Sequence, residues 1–100
     1  MVGIRHLVLV GWSEGTPESV IEEARRVARG LARAIDGIAE LDEGPSLSPE
    51  GLEGPYDWAL SILFEDEEAR DAYLPHPAHR VLADLIGTHQ SSLAVFDLEI

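Results

Sequence analysis

The chain has 100 residues, of which 45% are hydrophobic and 26% charged, as expected of one globular domain spanning residues 1–100. It has no cysteine and a formal net charge of −12, with thirteen acids against two arginines in residues 41–100. This composition excludes disulfides and thiol chemistry, and it disfavours binding to nucleic acid or to an anionic membrane surface. The lack of cysteine and of a signal-peptide pattern at the N-terminus predicts a cytoplasmic protein.

Residues 4–12 predict a first β-strand that is apolar on both faces. One face would carry Ile4, His6, Val8, Val10 and Trp12, and the other Leu7 and Leu9. A strand that is apolar on both sides must be covered on both sides, and a chain of this length supplies helices for only one of them. The second face therefore requires another surface.

A long helix is predicted to follow. Thr16 is the expected N-cap, Pro17 the first helical residue, and the apolar spacing continues to about Ile35, after which Gly37 ends the helix. Acids at residues 66–68 predict the start of a second helix. Three further strands are predicted at residues 38–47, 56–65 and 91–100, the first of them weaker.

Two prolines interrupt the second helical region, in Tyr73-Leu74-Pro75-His76-Pro77-Ala78-His79. Because proline lacks an N–H and clashes with the preceding turn, the pattern predicts a helix ending near Tyr73 and another starting at Pro77. Such a turn holds aromatic and imidazole side chains in fixed directions. It is the best site candidate in the chain.

The order is β-α-β-β-α-β, which predicts an α+β ferredoxin-like fold with a four-stranded antiparallel sheet and helices on one face. The other face is too apolar to remain in contact with water. We therefore expect a homodimer, formed through the open sheet faces as a dimeric α+β barrel, that buries Leu7, Leu9, Leu63 and Leu93.

This order resembles the stress-responsive A/B barrel (Dabb) family, through HLVLVGW, GTPE, YDWALSILF and above all YLPHPAH. The resemblance extends from about Val2 to Glu99 and implies subunits that dimerise into an α+β barrel. One plant member is a cofactor-independent polyketide cyclase that closes a ring by aldol condensation. By position, its catalytic pair corresponds to Tyr73 and His79, and its pocket histidine to His6.

Two departures from that cyclase imply a pocket of different size and polarity. Trp58 stands where the cyclase has a histidine, and the first helix lacks the tyrosine of the cyclase pocket. We expect Trp58 to wall the cavity and His76 to lie at its rim, so both are candidate substrate-binding residues. A core position is the usual alternative for a tryptophan.

The histidines have alternative roles that the sequence leaves open. His79 is a candidate general base, or it hydrogen-bonds a backbone carbonyl to cap the turn. His6 either lines the pocket or is a hydrogen-bonded core residue, and His89 is expected in a turn at residues 87–90. The spacing His76-x-x-His79 suits a metal, but it straddles Pro77 and no third ligand follows, so neither metal nor cofactor is expected.

These observations predict a small-molecule pocket and two classes of function. The first is a cofactor-independent cyclase or lyase that acts on a small carbonyl or polyketide-like compound, with Tyr73 and His79 as the acid–base pair. The second is a non-catalytic, stress-responsive or ligand-binding homodimer. Haem or quinol monooxygenases share the dimeric architecture, but their motifs are not found here.

Overall fold

The computed structural model describes residues 2–100, which form four strands and three helices. These are β1 (Ile4–Trp12), α1 (Glu18–Ala34), β2 (Ile38–Pro45), β3 (Trp58–Phe64), α2 (Glu67–Tyr73), α3 (Pro77–His89) and β4 (Gln90–Glu99). All strand pairs are antiparallel, in the order β2-β3-β1-β4. The predicted ferredoxin-like α+β fold is confirmed, with its second helical element divided into α2 and α3.

The core lies between the sheet and the helices. Along β1 and β3 every second side chain is buried, because alternate residues of a strand point to opposite faces. The helices contribute one apolar stripe each. The buried core consists of Ile4, Val8, Val10, Ala24, Ala28, Leu31, Ile35, Trp58, Leu60, Ile62, Phe64, Tyr73, Leu82 and Ile86.

The start of α1 differs from the prediction. Pro17, not Thr16, occupies the cap position, and no side chain caps the helix. The Thr16 hydroxyl instead donates to the Ser13 carbonyl at 2.6 Å, which closes the turn after β1. A side-chain cap does occur at α2, which starts at the predicted acids: the Asp66 carboxylate accepts from Ala69 N–H at 2.8 Å.

Gly37 allows the chain to turn tightly from α1 into β2. Its φ of 90° is a left-handed conformation that side chains disfavour, as the sequence predicted. An added Cβ would also lie 2.6 Å from the Cβ of Ala69 on α2. A glycine is therefore required here both by the backbone and by the close approach of α2.

The face of the sheet opposite the helices is open, and β4 contributes to it differently from the prediction. Phe96 pairs with Leu7 and Ala94 with Leu9, which places both on the open face, whereas Leu93 pairs with Val10 on the helix face. The prediction that Leu93 lies on the open face with Leu7 and Leu9 is therefore wrong. Phe96 is 63% exposed and is the largest apolar side chain on this face.

The end of α3 also differs from the prediction, because helix occupies most of the predicted turn at residues 87–90. The helix continues through His89 before β4 begins at Gln90. The His89 carbonyl accepts a hydrogen bond from Ser13 N–H at 2.7 Å, which ties the start of β4 to the turn after β1. The prediction of a loop at residues 87–90 is therefore wrong.

Candidate active site

The turn between α2 and α3 is held by local hydrogen bonds. Tyr73 is the last residue of α2, and its carbonyl accepts from His76 N–H at 3.0 Å. His76 Nδ1 in turn accepts from Ala78 N–H at 3.0 Å, so the imidazole caps the start of α3 at Pro77. The two helix ends predicted from the prolines are both confirmed.

His79 lies in the first turn of α3 with its ring beside that of Tyr73. The ring centroids are 4.3 Å apart. His79 Nδ1 is 2.8 Å from the Leu74 carbonyl oxygen, and because a carbonyl only accepts, Nδ1 carries the proton. Burial lowers the pKa of His79 below its ordinary value of 6.5. The imidazole is therefore neutral at neutral pH and leaves Nε2 unprotonated.

Tyr73 is 1% exposed and lies within a cluster of rings. Its centroid is 4.9 Å from that of Phe64 and 5.8 Å from that of His6. Burial raises the pKa of the phenol well above its ordinary value of 10.0, so the hydroxyl remains protonated. Within residues 2–100 no group accepts a hydrogen bond from this hydroxyl.

His6 projects from β1 and is 4% exposed. Its Nδ1 is 2.6 Å from Asp97 Oδ1 on β4, and the other Asp97 oxygen accepts from the Arg70 guanidinium of α2. Burial alone would raise the pKa of Asp97, but these two hydrogen bonds outweigh it and keep the pKa below 3.8. The ionised carboxylate accepts, so His6 donates from Nδ1, and the neutral tautomer with its proton on Nδ1 has Nε2 as its acceptor.

These three side chains share one cavity of about 220 Å³ between the sheet and α3. An engineered cavity of about 150 Å³ in another protein holds benzene, so this volume suits a compound with one ring. It lies below the roughly 300 Å³ at which drug-sized sites begin. The lining residues are His6, Val8, Leu60, Tyr73, Leu74, His79, Leu82, Ala83, Ile86, Gly87, Leu93 and Val95.

Two of the five predicted site residues do not line this cavity. His76 caps α3 as described, and Trp58 lies in the core, where its indole N–H donates to Glu43 at 3.1 Å and its ring stacks on Trp12 at 5.9 Å. Trp58 contributes instead to a second cavity of about 250 Å³ beside the loop after β2. The structure thus brings His6, Tyr73 and His79 together and leaves His76 and Trp58 apart.

Two further features bear on the kind of site. In the part of the chain that the structure describes, no three of the histidine, aspartate and glutamate side chains cluster closely enough to hold a metal ion. No helix between residues 2 and 100 is both long and apolar enough to cross a membrane.

A family model, described as the stress responsive A/B barrel domain, matches residues 4–100. The chain belongs to this family. A stress-response A/B barrel domain-containing protein of Arabidopsis thaliana, HS1, is 27% identical over 94% of this chain and 86% of its own length. Olivetolic acid cyclase of Cannabis sativa is 23% identical over 96% of this chain and 95% of its own length.

A solved structure supports the ferredoxin-like fold of this A/B barrel protein. A dimeric ferredoxin-like protein of unknown function from Jannaschia sp. CCS1 superposes with a TM-score of 0.88 and 27% identity, over 98% of this chain and 99% of the other. The family model and the two relatives confirm the resemblance that the sequence motifs indicated.

Two residues of the site in this A/B barrel protein, Asp97 and Arg70, were not predicted from the sequence. Asp97 is an acid in a strand otherwise apolar at its centre, and pairing with β1 places it directly opposite His6. The strand register, had it been known, would have shown the pair. Nothing in the sequence marks Arg70 as a site residue. An arginine in the last turn of a helix is already expected from its favourable interaction with the helix dipole.

Proposed function

We propose that this A/B barrel protein is a cofactor-independent cyclase or lyase that acts on a small, neutral carbonyl compound. Tyr73 and His79 serve as the acid–base pair. The observation that carries the proposal is the convergence of a free phenol and two oriented imidazoles on one apolar cavity. The similarity to olivetolic acid cyclase over almost the whole chain supports the reaction class.

The pair divides the work of an aldol reaction. His79 Nε2 takes a proton from the carbon next to a carbonyl, and the Tyr73 hydroxyl donates to the carbonyl oxygen on which negative charge develops. The enolate carbon then attacks a second carbonyl of the same molecule, and the new alkoxide receives the proton from His79. The reverse sequence cleaves the same carbon–carbon bond, as in a lyase.

His6 provides a third polar contact in the cavity. With Nδ1 donating to Asp97, its Nε2 accepts a hydrogen bond from a substrate hydroxyl or enol. Holding two oxygens of a flexible substrate in fixed positions brings the reacting carbons together, which accounts for much of the acceleration of an intramolecular reaction.

The substrate is expected to be uncharged and about the size of one ring. Among residues 2–100 no arginine lines the cavity, and the Asp97 carboxylate lies behind His6. The protein as a whole carries a net charge of −12, which repels anions. A longer polyketide-like chain would have to extend through the cavity opening, since about 220 Å³ does not enclose it.

The active form is expected to be a homodimer. Within residues 2–100, β2 and β4 each pair with a strand on one side only, which leaves two free sheet edges. Exposed edges and an exposed apolar face are normally covered in native proteins. Two copies closing their open faces into one barrel would cover both, and the similar Jannaschia protein is described as dimeric.

Proton exchange tests the proposal without knowledge of the native substrate. Acetophenone, a neutral single-ring ketone, is incubated with the protein in D₂O, and loss of its methyl proton signal is followed by ¹H NMR. We expect exchange above the buffer rate, and a fall of about 100-fold or more in the catalysed rate for His79→Ala. Tyr73→Phe is expected to lower it as well.

Matched controls are available for both substitutions. His89→Ala changes the other α3 histidine, and Tyr56→Phe the other tyrosine, neither of which lines this cavity. Both controls should exchange like wild type. Acetophenone bound in the cavity without any catalysed exchange would contradict catalysis and favour the non-catalytic, ligand-binding homodimer.

A further inference from the structure

One arginine outside the cavity completes a chain of contacts that leads into it. Arg70 on α2 donates to Asp97 Oδ2, and Asp97 Oδ1 is 2.6 Å from His6 Nδ1. The side chains of Arg70 and Asp97 are 20% and 28% exposed, and that of His6 is 5% exposed. The contacts therefore lead from the surface to the cavity.

We infer that Arg70 is a positioning residue of this site: it holds the Asp97 carboxylate against His6 and so selects the imidazole tautomer that presents Nε2 to the cavity. The role of His6 in binding substrate rests on the proposed function, but its tautomer does not. The role of Arg70 can therefore be tested by measuring the tautomer of His6, which requires no activity.

The Asp97 carboxylate requires such a partner because of where it lies. It projects from β4, an edge strand, where a carboxylate with one hydrogen bond would be free to rotate towards water. A neutral imidazole has two tautomers, and the hydrogen bond at one nitrogen decides which is populated. Fixing the second oxygen of Asp97 removes that rotation and keeps the first oxygen on His6.

The residue type at position 70 suits this role. Arg70 Nε donates to Asp71 at 2.8 Å while a terminal nitrogen donates to Asp97, so the guanidinium serves two carboxylates at once. A lysine ammonium is a point charge on a flexible stem and would not reproduce this fork. The contact with Asp71 thus helps to orient the planar guanidinium towards Asp97.

A purely structural role is the competing explanation. Arg70 also ties α2, the helix that ends at Tyr73, to β4, and it pairs with Glu67 one turn earlier at 3.9 Å. Loss of that tie would lower stability without altering the tautomer of His6. Stability and tautomer are therefore measured separately.

The experiment uses the full chain labelled with ¹⁵N-histidine, as wild type, Arg70→Met and Arg70→Lys. Long-range ¹H–¹⁵N spectra at about pH 8, above the reference pKa of a free imidazole, report which nitrogen of His6 carries the proton. We expect the Nδ1–H pattern in wild type, its loss towards the Nε2–H form in Arg70→Met, and partial retention in Arg70→Lys. Arg26→Met is the matched control, because Arg26 also pairs with a glutamate three residues earlier but does not line the cavity.

The outcomes separate the two explanations. An unchanged Nδ1–H pattern in Arg70→Met, with or without a lower melting temperature, would overturn the positioning role. If Arg70→Met does not fold, Arg70→Lys gives the same reading, and a full wild-type pattern there would also overturn it. A lost pattern with no acetophenone exchange in wild type would support Arg70 while refuting the proposed catalysis.

Discussion

The ring of Tyr73 lies 4.3 Å from the ring of His79, centroid to centroid, across the turn that joins α2 to α3. The turn therefore brings together a phenol that stays protonated and an imidazole that stays neutral. Both states follow from burial, which raises the pKa of Tyr73 and lowers that of His79. An acid and a base are thus available side by side at neutral pH.

The pH dependence of acetophenone exchange follows from these two shifts. His79 acts as a base only when unprotonated, so the catalysed rate should rise with pH through an inflection below 6.5. It should then stay level past pH 10.0, because Tyr73 loses its proton only above that value. Rates are measured against His79→Ala to subtract hydroxide-driven exchange. A catalysed rate that falls as pH rises through neutrality would mean that the imidazolium form is used.

Ligand binding should depend on the size of the cavity and on charge. Ala83 lines the cavity, and Ala83→Leu should fill part of its 220 Å³ and weaken acetophenone binding. Ala32→Leu, on the exposed side of α1, is the control and should bind like wild type. Isothermal titration gives the affinities, and benzoate should bind more weakly than acetophenone to all three proteins. Tighter binding of benzoate would contradict the neutral substrate class.

His76 should matter for stability and not for the chemistry. His76→Ala removes the side-chain acceptor for Ala78 N–H, and loss of a helix cap costs about 1 kcal/mol of unfolding free energy. Urea denaturation measures the loss. Exchange of acetophenone by the folded variant should be unchanged, since His76 does not line the cavity. A large loss of exchange with little loss of stability would restore His76 as a substrate-binding residue.

The homodimer should depend on the open face of the sheet. Phe96→Glu places a charge on this face beside Leu7, and sedimentation should shift from twice 10.9 kDa to 10.9 kDa. Leu47→Glu is the matched control, since Leu47 is 94% exposed in the loop after β2. A wild-type mass of 10.9 kDa at micromolar concentration, or an unchanged dimer in Phe96→Glu, would argue against this interface.

The sequence predicts the helix ends around the site because proline acts locally. It does not predict which face of β4 meets the helices, since Leu93 and Val95 are as apolar as Phe96 and Leu98. Only pairing with β1 shows that Leu93 lies over the cavity and Phe96 on the open face. The same register places Asp97 beside His6, a contact between residues ninety-one positions apart.

The local sequence pattern also does not predict the role of each histidine. His76 and His79 are three residues apart, yet one caps α3 and the other lines the cavity. The hydrogen bond of His79 to a backbone carbonyl, which was the alternative to a catalytic role, is present. This hydrogen bond uses only Nδ1 and leaves Nε2 for a ligand. The capping role is therefore compatible with the catalytic role, which stays a prediction.

The most direct test of the account is to add acetophenone to ¹⁵N-histidine-labelled protein and follow the imidazole nitrogens by NMR. We expect shifts at Nε2 of His79 and of His6, with His89 unaffected, and loss of these shifts in Ala83→Leu. If the nitrogens of His79 and His6 do not move while acetophenone binds elsewhere, the cavity is not the ligand site. The proposed acid–base pair would then have no substrate to act on.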